Sequence, residues 1–181
     1  MRLLVLLALT ALPTAAQDRA EGAAGGVLST QPFGEPWTAN PGVAGRLSFS
    51  LHGGVADGTM RWLPFTSVEP ETPDFDLVTA TLGWGPRVRF GRAELTAVAR
   101  LGAATFWFDD GVPQFAGNER EVEVALGGAL RAQVVAGRAV LWAEGEALRI
   151  ALRDPETLPS LSAGVGIRFD MPPVVRRWLD E

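Results

Sequence analysis

The chain has 181 residues, no Cys and one His, and its 16 cationic side chains, all Arg, face 21 acidic ones for a net charge of −5. These counts exclude disulfides, thiolate metal centres, a cysteine nucleophile and multi-histidine metal sites. The negative balance has the wrong sign for a nucleic-acid partner, the length suits one domain, and no motif implies a cofactor.

Met1-Arg2, the apolar run Leu3 to Leu12 and the small-residue end Pro13-Thr14-Ala15-Ala16 have the layout of a secretory signal peptide cleaved after Ala16. The run falls short of the roughly 20 residues of a membrane-spanning helix. Residues 1–16 are therefore set apart as the signal, 17–170 as a β-barrel domain and 171–181 as a tail. Within the tail, Val174-Val175-Arg176-Arg177-Trp178-Leu179 has an amphipathic look suited to a membrane interface.

In chain order, Gly26 to Phe33 supplies a weak first strand. Leu47, Phe49 and Leu51 then alternate with Arg46, Ser48, Ser50 and His52. Asp57-Gly58 reads as a short turn that opens a strand from Thr59 to Phe65. The clearest alternation runs through 76–90, where Val78, Ala80, Leu82, Trp84, Pro86, Val88 and Phe90 are separated by Thr, Gly and Arg. Pro86 cannot donate to a ladder, so Gly85-Pro86 predicts a bulge or an early strand end. Ala93 to Ala103 follows, opposing Glu94, Thr96, Arg100 and Gly102. Val122 to Val134 then opposes Glu121, Glu123, Gly127, Arg131 and Gln133. In 139–152 the apolar positions change parity, which predicts a β-bulge near Ala147 and puts Glu144, Glu146 and Arg149 on one polar face. Residues 161–170 close the series, ending in Val165, Ile167 and Phe169.

Phe90-Gly91-Arg92-Ala93 and Ala136-Gly137-Arg138-Ala139 both place Gly first in a two-residue hairpin turn. Extending these registers sets Arg89 opposite Glu94 and Arg131 opposite Glu144. The other connections, at 66–75, 109–120 and 153–159, are long. Short turns on one rim and long loops on the other describe an all-β, closed, antiparallel up-and-down transmembrane barrel with eight strands, or six if the two weakest are dropped.

A soluble lipocalin-like binding barrel would show the same alternation with its apolar face inward. Strand length favours apolar-out, as does glycine in mid-strand on the polar side. The aromatics Phe106, Trp107, Phe108, Phe90 and Phe169 near strand ends add the suggestion of interfacial girdles.

On these strands, turns and the aromatic-ended last strand, the chain from about 26 to 170 resembles the small outer-membrane barrels of the OmpA and OmpX type. The resemblance implies residence in the bacterial outer membrane, contact with its lipid, and assembly by the barrel assembly machinery.

Chemistry-bearing candidates are few. Ser50 and His52 share one strand face and could form a nucleophile and base, and they look like a reversed version of the His and Ser pair of lipid A deacylating barrels. Nothing completes a triad, so a lipid-modifying barrel enzyme stands as the alternative to a structural or interaction barrel. The carboxylates Glu123, Glu144 and Glu146 are read with Arg100, Arg131 and Arg149 as ion pairs closing the lumen. The long loops are acidic, with Glu69, Glu71, Asp74, Asp109, Asp110, Glu119, Asp154 and Glu156, which suits a divalent cation or a basic partner.

Overall fold

Period-two alternation makes strands with unlike faces, and strands that must hide their edges close into a ring. The computed structural model describes residues 19–33, 36–51, 53–70, 72–108, 120–152 and 155–171. The expected signal segment, His52 and most of the tail lie outside these residues.

Nine strands run in chain order: β1 (Arg19–Ser29), β2 (Trp37–Ala39), β3 (Gly42–Leu51), β4 (Gly54–Ser67), β5 (Phe75–Phe90), β6 (Ala93–Phe108), β7 (Arg120–Ala136), β8 (Ala139–Ile150) and β9 (Glu156–Asp170). Eight of them form a closed antiparallel ring. Each of β3 to β9 pairs with its sequence neighbour, and β1 joins the two ends by pairing with both β3 and β9. The remaining strand, β2, pairs with the loop-side end of β4, bridges Phe33 through Trp37, and extends β3 beyond a one-residue offset at Asn40–Pro41. Pro41 lacks the N–H that an unbroken ladder needs.

Turns sit where glycine permits them. Gly91 and Gly137 both have φ of 63°, and Gly53 has φ of 76°, the left-handed region that primed hairpin turns require. These three tight turns share one rim with Arg19 and Asp170, which pair with each other. The strand ends flanking the longer connections, at Ser29, Trp37, Ser67, Phe75, Phe108, Arg120, Ile150 and Glu156, lie at the other rim.

Four expectations are corrected. The first strand spans Arg19–Ser29 rather than starting at Gly26, because pairing with β9 settles a segment whose small residues alternate too weakly to read. Asp57-Gly58 is mid-strand, with Asp57 opposite Ser48 and Gly58 opposite Leu47; the turn falls one strand-end earlier, around Gly53. There is no bulge at Ala147, since Val140, Trp142, Glu144, Glu146, Leu148 and Ile150 are all buried in strict alternation. Pro86 neither bulges nor ends β5: the register to β6 is the same at Trp84–Ala99 and Arg87–Thr96, and only the ladder between them lapses. There Gly85 lies so close to β6 that a Cβ would meet the Ala97 carbonyl oxygen at 1.7 Å.

The seam between β1 and β9 is equally tight. Gly25 faces Gly164 across it, and a Cβ on either would lie 2.1 Å from the partner strand's carbonyl oxygen. Gly164→Val should therefore strain closure and lower stability by about 1–3 kcal/mol. Outward-facing Val165→Leu should change it little, and urea unfolding of the folded barrel in detergent compares the two.

Candidate functional site

Which face is inside follows from burial. Leu82, Leu101, Leu130, Leu141, Val165 and Ile167 point outward, each 60% or more exposed. Thr79, Thr81, Arg100, Arg131, Glu144 and Ser162 on the same strands are buried. The apolar face is thus the exterior and the charged face the bore, the reverse of a soluble binding barrel. An apolar belt around a polar interior is the build of a barrel that crosses a membrane.

Among the described residues five arginines and five carboxylates are buried in the bore: Arg46, Arg61, Arg100, Arg131 and Arg168 with Glu21, Asp57, Glu94, Glu144 and Glu146. At mid-height Glu144 is the hub. It accepts from Arg61 at 2.6 Å, from Arg100 at 2.9 and 3.0 Å and from Arg131 at 3.2 Å, with Arg46 at 3.9 Å. Asp57 accepts from Arg131 and, at 3.4 Å, from Arg100. Glu146 lies against Arg100 and Arg61. Arg46 also lies over the Trp142 ring, 4.8 Å from its centroid.

Nearer the tight turns a second set forms around Glu21 and Glu94. Glu21 accepts from Arg46 at 2.7 Å and Arg168 at 3.0 Å, and Glu94 accepts from Arg168 at 3.0 Å. Gln133 donates to both carboxylates, at 3.2 and 2.8 Å. Arg89, cross-strand from Glu94, brings its Nε within 2.8 Å of it, and Arg87 approaches to 3.6 Å.

The loop-side end of the bore is apolar. Phe33, carried inward by the connection after β1, packs on Phe65, Phe75 and Phe106 with ring centroids 5.6 to 5.9 Å apart; Trp37 meets Phe75 edge-on and Phe108 meets it at a tilt. Leu63, Leu77, Ile150 and Leu158 complete this plug. Phe106 and Phe108 are therefore not girdle residues; of that trio only Trp107 faces outward, with Arg120 over its ring at 5.6 Å.

The expected lumen residues thus divide. Glu94, Arg100, Arg131, Glu144 and Glu146 meet in the bore, as described, and Arg89 reaches Glu94 from the exposed tight-turn mouth. Glu123 is half-buried on the inward parity of β7, near its loop-side end. Arg149, expected in the bore, is exposed and outward, because the absent bulge leaves Leu148 and Ile150 inside. Ser50 is half-buried and shares its parity with buried Arg46 and Ser48, so it faces the bore rather than lipid; its partner His52 lies outside the described residues. Sequence reasoning missed Glu21, Asp57 and Arg61, and it left Arg46 and Arg168, though on polar strand faces, out of the charge pairs. Asp57 was hidden by its resemblance to a turn, and Glu21 lay before the expected first strand.

No protein-family model matches the chain, and no curated protein matches it in sequence. Among solved structures, Ail, the attachment invasion locus protein of Yersinia pestis, aligns with a TM-score of 0.54 at 16% identity, covering 84% of this chain and 99% of its own. Neisserial surface protein A gives 0.53 at 14% identity, covering 84% and 95%. Ail in complex with the heparin analogue sucrose octasulfate gives 0.54 at 17%, covering 84% and 97%. The chain folds as a small barrel of the outer-membrane type. At such identities the likeness carries the fold, and the barrel's activity has to be argued from its own side chains.

Removing one member of a buried ion set leaves its partners uncompensated in a low dielectric. Glu144→Gln should destabilise the barrel by about 3–5 kcal/mol, whereas Glu121→Gln, at an exposed position, should stay within about 0.5 kcal/mol. Equilibrium urea titration in detergent micelles measures both.

Proposed function

We propose that this barrel spans the bacterial outer membrane as a structural or interaction protein, with its tight turns on the periplasmic side and its long connections outside. The observation that carries the reading is the apolar exterior around an ion-paired, side-chain-filled bore. A bore closed by neutralised charge pairs at mid-height and by stacked aromatics at one end has no continuous path for solutes. What such a barrel offers its surroundings is therefore its lipid-facing wall and its loops. The aromatic-ended β9, with Val165, Ile167 and Phe169 facing outward, supports delivery by the barrel assembly machinery.

The loops point to a basic partner. Ail was solved with a sulfated ligand. By contrast, the connections of this chain at 68–74 and 109–119 contain acids and no cation in their sequence, so a polyanion would be repelled and a cationic protein surface attracted. A non-enzymatic role fits the inward placement of Ser50 as well, since a hydroxyl facing the bore does not reach a lipid ester in the membrane.

Flotation with liposomes tests the reading: the mature barrel should rise with the vesicles, resist alkaline extraction and give no steady conductance in planar bilayers. Recovery as a monodisperse protein without detergent would defeat the membrane assignment, and a stable open-channel current would defeat the closed bore.

A further inference from the structure

The buried charges of the bore are equal in number, and two arginines stand beyond that equality. At mid-height Arg61, Arg100 and Arg131 face Asp57, Glu144 and Glu146, and nearer the tight turns Arg46 and Arg168 face Glu21 and Glu94. Arg87 and Arg89 are the surplus. Both lie on the inward parity of β5 and close on Glu94, with side chains 12% and 44% exposed.

Glu94 cannot satisfy them both, because each carboxylate oxygen has about two lone-pair sites. Its Oε1 accepts from Arg168 at 3.0 Å and faces the Arg89 Nε at 2.8 Å; its Oε2 accepts from Arg168 and, at 2.8 Å, from Gln133. The Arg87 Nε stays 3.6 Å away, buried and without a hydrogen bond. No other nitrogen of the Arg87 guanidinium is bonded among the described residues. A nearly buried cation in this condition is unfavourable, and an oxyanion entering the mouth would relieve it with charge-assisted bonds.

The rim around this recess is basic too. Arg19 on β1 and Arg92 and Arg138 on the two Gly-Arg turns are exposed, whereas the one exposed carboxylate among the described residues of the rim is Asp170, 3.9 Å from Arg138. The whole chain carries −5, so this end is a positive pole that would draw an anion to it.

Resting on the membrane reading, we propose that the tight-turn mouth binds an acidic peptide segment from the periplasm. One carboxylate seats on Arg87 with Arg89 beside it, and further carboxylates of the same chain meet the rim arginines. The direction of approach selects a water-borne occupant. A lipid headgroup stands outside the wall, whereas Arg87 and Arg89 point inside it and are reached from the water below. The spread of the cations selects a chain over a free ion: the recess takes one oxyanion, while Arg19, Arg92 and Arg138 stand on separate strand ends around the ring.

Fluorescence anisotropy of a dye-labelled hexaglutamate peptide, titrated at fixed salt with the folded barrel in uncharged detergent, tests this. The wild type should bind the peptide. Arg87→Gln should weaken binding about tenfold and Arg89→Gln should weaken it less, whereas Arg149→Gln, an exposed arginine near the opposite rim, should leave it unchanged. Arg87→Gln removes no hydrogen bond from the bore, so the barrel should still give its folded, heat-modifiable band on unboiled gels. No binding by the wild type, undiminished binding in Arg87→Gln, or an equal loss in Arg149→Gln would overturn the site. Phosphatidylglycerol added to the micelles, or inorganic phosphate at the same ionic strength, competing as well as unlabelled peptide would overturn the peptide as occupant. A barrel that floats with liposomes yet ignores the peptide refutes the site and leaves the membrane reading standing. Failure to float with binding intact refutes the membrane reading, and with it the periplasmic origin of the ligand.

Discussion

Closing a sheet of this size into a ring leaves a bore too narrow for bulk water, so every charge that points inward must find its counter-charge there. That constraint organises the interior. Five arginines and five carboxylates are buried in it and balance in number, and they come from every strand of the ring except β5, whose Arg87 and Arg89 reach the tight-turn mouth. Glu144 alone joins β3, β4, β6 and β7 to β8 through the arginines around it. The network is thus a cross-brace that ties β8 to β3, β4 and β6, strands with which it shares no backbone pairing. Its worth lies less in net stability, since apolar replacement of buried ion pairs is often neutral, than in excluding strand registers that would leave a charge alone.

The bore also has a polarity along its axis. Charges occupy the middle and the tight-turn side, and aromatics the loop side. Phe33 is the piece that connection lengths could not reveal: it belongs to no strand of the ring, yet it is buried among Phe65, Phe75 and Phe106. The connection after β1 is thereby tied down as a lid whose backbone is further fixed by Thr30 donating its N–H to Pro159 and by the Trp37 indole donating to Pro73. Asp74 on the next connection is held as well, accepting from the Ser67 N–H at 2.7 Å.

Much of this was legible in the sequence wherever one face was uniformly polar. The strands through Leu82, Leu101, Val124 and Val165 and the two Gly-Arg turns could be placed from alternation and turn chemistry alone, and so could the facing of Arg89 with Glu94 and of Arg131 with Glu144. Reading failed where inside and polar parted company. Leu148, Ile150, Phe106 and Phe108 are apolar and inward because the loop end of the bore is plugged with hydrocarbon, and no periodicity distinguishes that from an outward apolar residue. Arg149 was misplaced as a direct consequence. Arg19 to Gly26 carried too little hydrophobic contrast to announce a strand, since Ala and Gly mark neither face. Its pairing with β9 is a contact between sequence ends, which local pattern does not encode.

The seam between β1 and β9 has one more consequence, concerning the order in which the interior can become neutral. Arg168 is the only buried cation that β9 brings, and it is shared by Glu21 of β1 and Glu94 of β6. Until the last strand docks, those two carboxylates face a shortage of positive charge and the Gly25–Gly164 contact does not exist. A chain missing only its final strand would hold most of its hydrogen-bond ladder while carrying an unbalanced bore, so the electrostatic books close in the same step as the ring.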